Sequence, residues 1–167
     1  YTFSSFAVRY NSNGTLDSSF NGTGWAKYNR GFFKSINIQS DLKLILGGAN
    51  TEESIQKFMI IRLQPNGKKD SSFGINGVVT TNIEHGGGED AIYSMALQSD
   101  GKYIAGGGTN WYDGNMVLAR YETNGLLDTS FGIDGTVITK IGTHHSFISK
   151  VLLEDGKIIA AGYARDF

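Results

Sequence analysis

Residues 120–135 read Arg120-Tyr121-Glu122-Thr123-Asn124-Gly125-Leu126-Leu127-Asp128-Thr129-Ser130-Phe131-Gly132-Ile133-Asp134-Gly135, and the frame of that stretch occurs three times. Arg9, Asp17, Phe20 and Gly24 stand in the same order as Arg62, Asp70, Phe73 and Gly77, and as Arg120, Asp128, Phe131 and Gly135. Arg and Gly are 15 positions apart in each copy, and the copies are offset by 53 and 58 residues. A period of this length marks a repeat architecture, in which each unit buries its apolar faces only against its neighbours.

Each unit reads as four short strands. The run 116–121, with its counterparts 58–63 and 6–10, is apolar at odd and even positions alike. Such strands are covered on both faces. An Asn-Gly turn follows each one (Asn13-Gly14, Asn66-Gly67, Asn124-Gly125), where positive φ is tolerated. Further strands fall at 25–28, 78–83 and 136–141, and at 33–39, 91–98 and 147–153. These last end in turns such as Ser99-Asp100-Gly101-Lys102 and Glu154-Asp155-Gly156-Lys157 and lead into a fourth strand type. No stretch carries a helical period, so the chain reads as all-β.

Four consecutive strands with two apolar faces describe a propeller blade; a β-solenoid is the alternative, but its coils are shorter. With strands labelled A to D from the centre outward, strands C–D occupy 1–30. One blade occupies 31–83, a second 84–141, and strands A–B lie at 142–167. The terminal A–B and initial C–D halves complement each other. About three repeats are too few for a ring of roughly four to eight blades. The segment therefore belongs to a larger ring, or copies complete it. A head-to-tail dimer would have six blades, and an uncovered outer edge on strand B invites such pairing.

Composition agrees with a turn-rich β-protein: 23 Gly, 18 Phe and Tyr, one Pro, and 19% charged residues. The net charge of −1, without a basic block, disfavours nucleic acid, which needs clustered cations. The absence of Cys excludes disulfides and thiolate metal sites. No apolar run approaches the ~20 residues of a membrane helix. The chain starts at Tyr1 rather than Met, as a fragment, a mature product or a trimmed chain would.

The combined pattern Leu97-Gln98-Ser99-Asp100-Gly101-Lys102 through Gly107, then Arg120-Tyr121 and Leu127 to Gly135, resembles the bacterial delta-60 repeat family, a β-propeller domain of unknown function. The first copy departs most, with Leu42 in place of the turn glycine and Asn21 where the others have Gly74 and Gly132. The resemblance implies large multi-repeat bacterial proteins, commonly secreted or at the cell surface. It implies no catalytic residue and no cofactor.

Comparison of the copies separates scaffold from variable surface. Asp41 to Gly48, Asp100 to Gly107 and Asp155 to Gly162 are each 7 apart, so the A–B hairpin is constant, as is the Arg-to-Gly block. The stretches Gly24 to Asp41, Gly77 to Asp100 and Gly135 to Asp155 span 17, 23 and 20 positions, and the B–C segments share almost no residues. In a propeller the B–C and D–A loops lie on one face, so the variation is one-sided, where binding usually resides. The candidate ligand-binding residues are Trp111, Tyr112 and Asp113, Glu52 and Glu53, His85, Glu89 and Asp90, His144 and His145, and Arg30. Aromatic and acidic side chains together suit a glycan or a protein. The competing reading, that Trp111 and Tyr112 only cover blade ends, is the commoner fate of loop aromatics. The three His lack the spacing of a metal site, so no metal is expected.

The recurring Asp17, Asp70 and Asp128 suit Asx-type turns. Arg9, Arg62 and Arg120, set among apolar strand residues, need a partner, which those Asp residues or turn carbonyls supply. Phe20, Phe73 and Phe131 read as plugs between blades. These recurring residues argue for scaffold. The expected function is a non-catalytic binding or display module, extracellular or on the cell surface. Its alternatives are a metal-assisted hydrolase of the six-bladed propeller type and a structural spacer in a fibre or adhesin.

Overall fold

The computed structural model describes residues 4–29, 31–51, 55–83, 89–110 and 113–166. Among them there are twelve strands and no helix. Strands β3 (Gly31–Ile38), β4 (Leu44–Asn50), β5 (Lys57–Leu63) and β6 (Val78–Thr81) form one antiparallel sheet in sequence order. A second sheet repeats that order with β7 (Ala91–Leu97), β8 (Tyr103–Gly108), β9 (Met116–Tyr121) and β10 (Thr136–Thr139). Two hairpins flank them, β1 (Ser4–Val8) with β2 (Trp25–Asn29), and β11 (Ser146–Glu154) with β12 (Lys157–Ala164). The strands β6 and β10 stop earlier than 78–83 and 136–141. After β6 the chain leaves the ladder, and the Ile83 N–H donates to Asp90 Oδ2 at 2.9 Å instead.

The apolar pattern of β5 shows why one strand faces two neighbours. Phe58 and Ile60 join Ile92, Met95, Val117 and Tyr121 in one core. Met59, Ile61 and Leu63 point the other way, into a core with Ala7, Phe20 and Ala26. A third core holds Ile104, Ile148 and Val151, with Leu118 and Phe131 against it. Burial of a side chain such as Phe58 or Ile60 contributes about 1.5–3 kcal/mol, and a blade collects that gain on both faces. β3 packs against β7, and β7 against β11, so the first strand of each unit lies innermost.

These inner strands share a bulge, between Phe33 and Ser35, Ile92 and Ser94, and Ile148 and Lys150. The bulge presses a carbonyl onto the facing strand. A Cβ on Gly48, Gly107 or Gly162 would lie 1.7, 1.9 or 2.0 Å from the carbonyl oxygen of Phe32, Ala91 or Phe147. That is the physical reason a glycine stands seven residues after the turn Asp in every copy. In two copies the bulge also links blades. Ser35 Oγ accepts the Met95 N–H at 2.9 Å, and Ser94 Oγ accepts the Val151 N–H at 3.1 Å.

Candidate functional site

The face of constant loops is a lattice of charge-assisted bonds. In each copy the Arg Nε donates to the Asp Oδ2, at 2.7 Å for Arg9–Asp17, 2.8 Å for Arg62–Asp70 and 2.7 Å for Arg120–Asp128. The other carboxylate oxygen accepts from the backbone and hydroxyl of the Ser two residues on, which closes an Asx turn at Ser19, Ser72 and Ser130. Each guanidinium lies over its own Phe, 4.8 Å from Phe20, 4.6 Å from Phe73 and 4.7 Å from Phe131. A lysine completes the set in the full blades. Lys43 lies 3.3 Å from Asp70, and Lys102 lies 2.7 Å from Asp128.

These partners set the protonation of the carboxylates. The Asp128 carboxyl is held well below the usual range by Lys102 first, then by the Ser130 hydroxyl. At Asp70, burial acts to raise the value. The Ser72 hydroxyl and amide, Lys43 and Arg62 together outweigh it and bring the carboxyl from 3.8 to about 2. In each copy the carboxylate is paired within the scaffold, and the pairing stabilises its charged form.

The opposite face carries the loops that differ. Asp113, Glu89, Asp90, His144 and His145 fall within the described residues; Arg30, Glu52, Glu53, His85, Trp111 and Tyr112 lie outside them. Glu89 and His145 meet in a shallow recess with Tyr93, Gly108, Thr109 and Asn110. Tyr93 and His145 are its two ring-bearing walls, and Phe147, which is not part of the lining, lies tilted against Tyr93 at 5.0 Å, His145 at 5.4 Å and Tyr163 at 5.9 Å between ring centroids. Burial keeps the His145 imidazole below its ordinary value, so it is neutral near pH 7 and holds one donor and one acceptor nitrogen. Burial raises Tyr93, with Glu89 adding to the shift, so its phenol stays protonated.

His144 stands beside the recess, its Nδ1 3.9 Å from Asp113 Oδ1. The loops are pinned to one another, because the Ser146 N–H donates to the Gly114 carbonyl at 2.8 Å and Arg165 to that of His145 at 2.9 Å. Asp90 belongs elsewhere. It is fully buried and caps the end of β6 through Ile83, so its carboxylate is not a group of the variable surface. Its acidic neighbour in sequence, Glu89, is exposed. No three metal-ligating side chains come together among the described residues.

Sequence reading missed Tyr93, Thr109 and Asn110. Tyr93 is the residue inside the bulge, and its counterparts are Lys34 and Ser149, so no recurrence pointed to it. Lys43 and Lys102 did carry a signal, since Lys follows the turn in each copy. Their role needed the distance to the carboxylate.

Stacked four-stranded sheets with the first strand innermost, joined through one recurring set of contacts, define a β-propeller repeat protein. A family model described as "Domain of unknown function (DUF5122) beta-propeller" matches residues 3–20, 39–73 and 98–131, more than half of the chain. The chain belongs to that family. No curated protein matches it.

Proposed function

We propose that this chain is a non-catalytic binding module whose variable face engages a glycan, on a secreted or surface-displayed bacterial protein. The observation that supports this reading is the recess of Glu89, Tyr93, Asn110 and His145. It lies on the face where the copies diverge, while the other face repeats the same bonds. The Tyr93 and His145 rings beside a carboxylate and an amide suit a polyhydroxylated ring, with its C–H face against the rings and its hydroxyls bonded at the rim. The resemblance of the repeat motif to the delta-60 family supports the surface setting.

The test is a glycan array probed with the chain and with a Tyr93→Ala/His145→Ala variant. Binding to a defined set of oligosaccharides that the variant loses supports the reading. Binding that the variant retains, or turnover of an ester or phosphate substrate that the variant abolishes, contradicts it.

A further inference from the structure

The recess is shared between two neighbouring blades. The carbonyls of Phe32, Ala91 and Phe147 mark equivalent points of the three inner strands. Two residues before them the copies carry Arg30, Glu89 and His145, and two residues after them Lys34, Tyr93 and Ser149. The recess takes Glu89 and Tyr93 from one blade and His145 from the next. The two blades come close there because Gly108 has no side chain, and a Cβ on it would lie 2.7 Å from that of Phe147. The first blade carries two basic residues at the positions of Glu89 and Tyr93, so a carboxylate here is no requirement of the scaffold.

The charge of the recess is one-sided. Glu89 is exposed, and among the described residues its carboxylate pairs with no cation. No Lys or Arg lines the recess. Arg165 is bonded through its backbone to His144 and His145 but is not part of the lining. The His145 imidazole, held below its ordinary value by burial, adds no positive charge near pH 7. Tyr93 stands close enough to Glu89 for the carboxylate to help raise its phenol, and the face of an aromatic ring attracts a cation.

The recess is too shallow to take in a whole sugar ring, so the ring lies across its mouth and a single substituent enters. The substituent that complements a carboxylate without a cation, next to an aromatic ring, is a positively charged donor. We propose that the recess selects a sugar bearing a free primary amine, whose ammonium donates to Glu89 and rests against Tyr93. This inference rests on the glycan reading of the recess and narrows it to one class of sugar.

Three β-1,4-linked trimers that differ in one substituent test it, built of glucosamine, of N-acetylglucosamine and of glucose. Each is titrated calorimetrically into the chain and into Glu89→Gln at about pH 6.5, low enough to keep the sugar amine protonated. The glucosamine trimer is expected to bind the chain about tenfold more tightly than the other two. In Glu89→Gln the three should fall within about twofold of one another, with the melting temperature kept because Glu89 is exposed. Equal binding of all three trimers by the chain overturns the inference and leaves the glycan reading standing. A preference for the amine that Glu89→Gln retains overturns it too, since the ammonium is then held elsewhere. Binding of none of the trimers also overturns it, and the glycan reading falls with it only if the array is empty as well.

Discussion

Arg62 and Thr123 belong to different blades, and the guanidinium of the first donates to the backbone carbonyl of the second at 2.7 Å. The same side chain pairs with Asp70 and lies over Phe73 within its own blade. One residue therefore ties a turn, a strand and a neighbour together. Arg62→Met should cost about 3 kcal/mol, the penalty of leaving a buried carboxylate and a carbonyl without their partner. Arg9→Met should cost less, because Arg9 is more exposed. Urea unfolding of both variants checks this, and an unchanged midpoint for Arg62→Met contradicts it.

A glycine facing an inner-strand bulge has no space for a side chain. In Gly107→Ala the new methyl would overlap the Ala91 carbonyl and press on Phe58. A loss of about 3 kcal/mol or more is expected, at the upper end for overpacking. Gly156→Ala is the comparison, since it has open space and only its φ of 74° to contend with; about 1 kcal/mol suffices there. Thermal melts should rank the two in that order.

The turn of the first blade places a leucine at a left-handed position that is glycine in the other copies. Leu42 has φ 65°, where Gly101 has 86° and Gly156 has 74°. A left-handed conformation costs a residue with a Cβ roughly 1–2 kcal/mol, and the Leu42 side chain is exposed. Leu42→Gly is therefore expected to stabilise the chain by about 1 kcal/mol, a rise of roughly 2–4 °C in Tm. A lower Tm would show that the Leu side chain contributes contacts which outweigh its backbone.

Much of this was legible in the sequence, and the limit is instructive. The spacing of Arg9, Asp17 and Phe20 against their two later copies shows the repeat, the strands and the in-blade pairing, because these depend on neighbours within 15 positions. The second partner of Arg62 lies 61 positions away on another sheet, and no local pattern encodes that contact. Asp90 and Glu89 are adjacent acids with opposite fates. Only the path of the chain after β6 sends one inward to Ile83 and leaves the other at the recess. Tyr93 owes its place to a bulge, which shifts the alternation by one residue and hides it from period counting.

The acid side of the stability profile follows from Asp70. Its carboxyl sits at about 2 in the folded chain and near 3.9 in an unfolded one. The unfolded state therefore binds the proton more readily. The contribution is fully present above that unfolded value, falls as pH drops from about 4 to about 2, and is absent below. Asp17 and Asp128 are shifted in the same direction, by the Ser19 hydroxyl and by Lys102 respectively. Asp70→Asn should flatten part of the decline between pH 4 and 2 in a series of urea titrations. An unaltered slope would remove Asp70 from the lattice's energetics.

The variable face is where the copies diverge, and its recess gathers Glu89, Tyr93, Asn110 and His145. Calorimetric titration of the chain, and of Tyr93→Ala/His145→Ala, with an oligosaccharide chosen from the array measures its role most directly. Saturable binding that the variant loses is predicted; equal binding by both, or none by either, would contradict it.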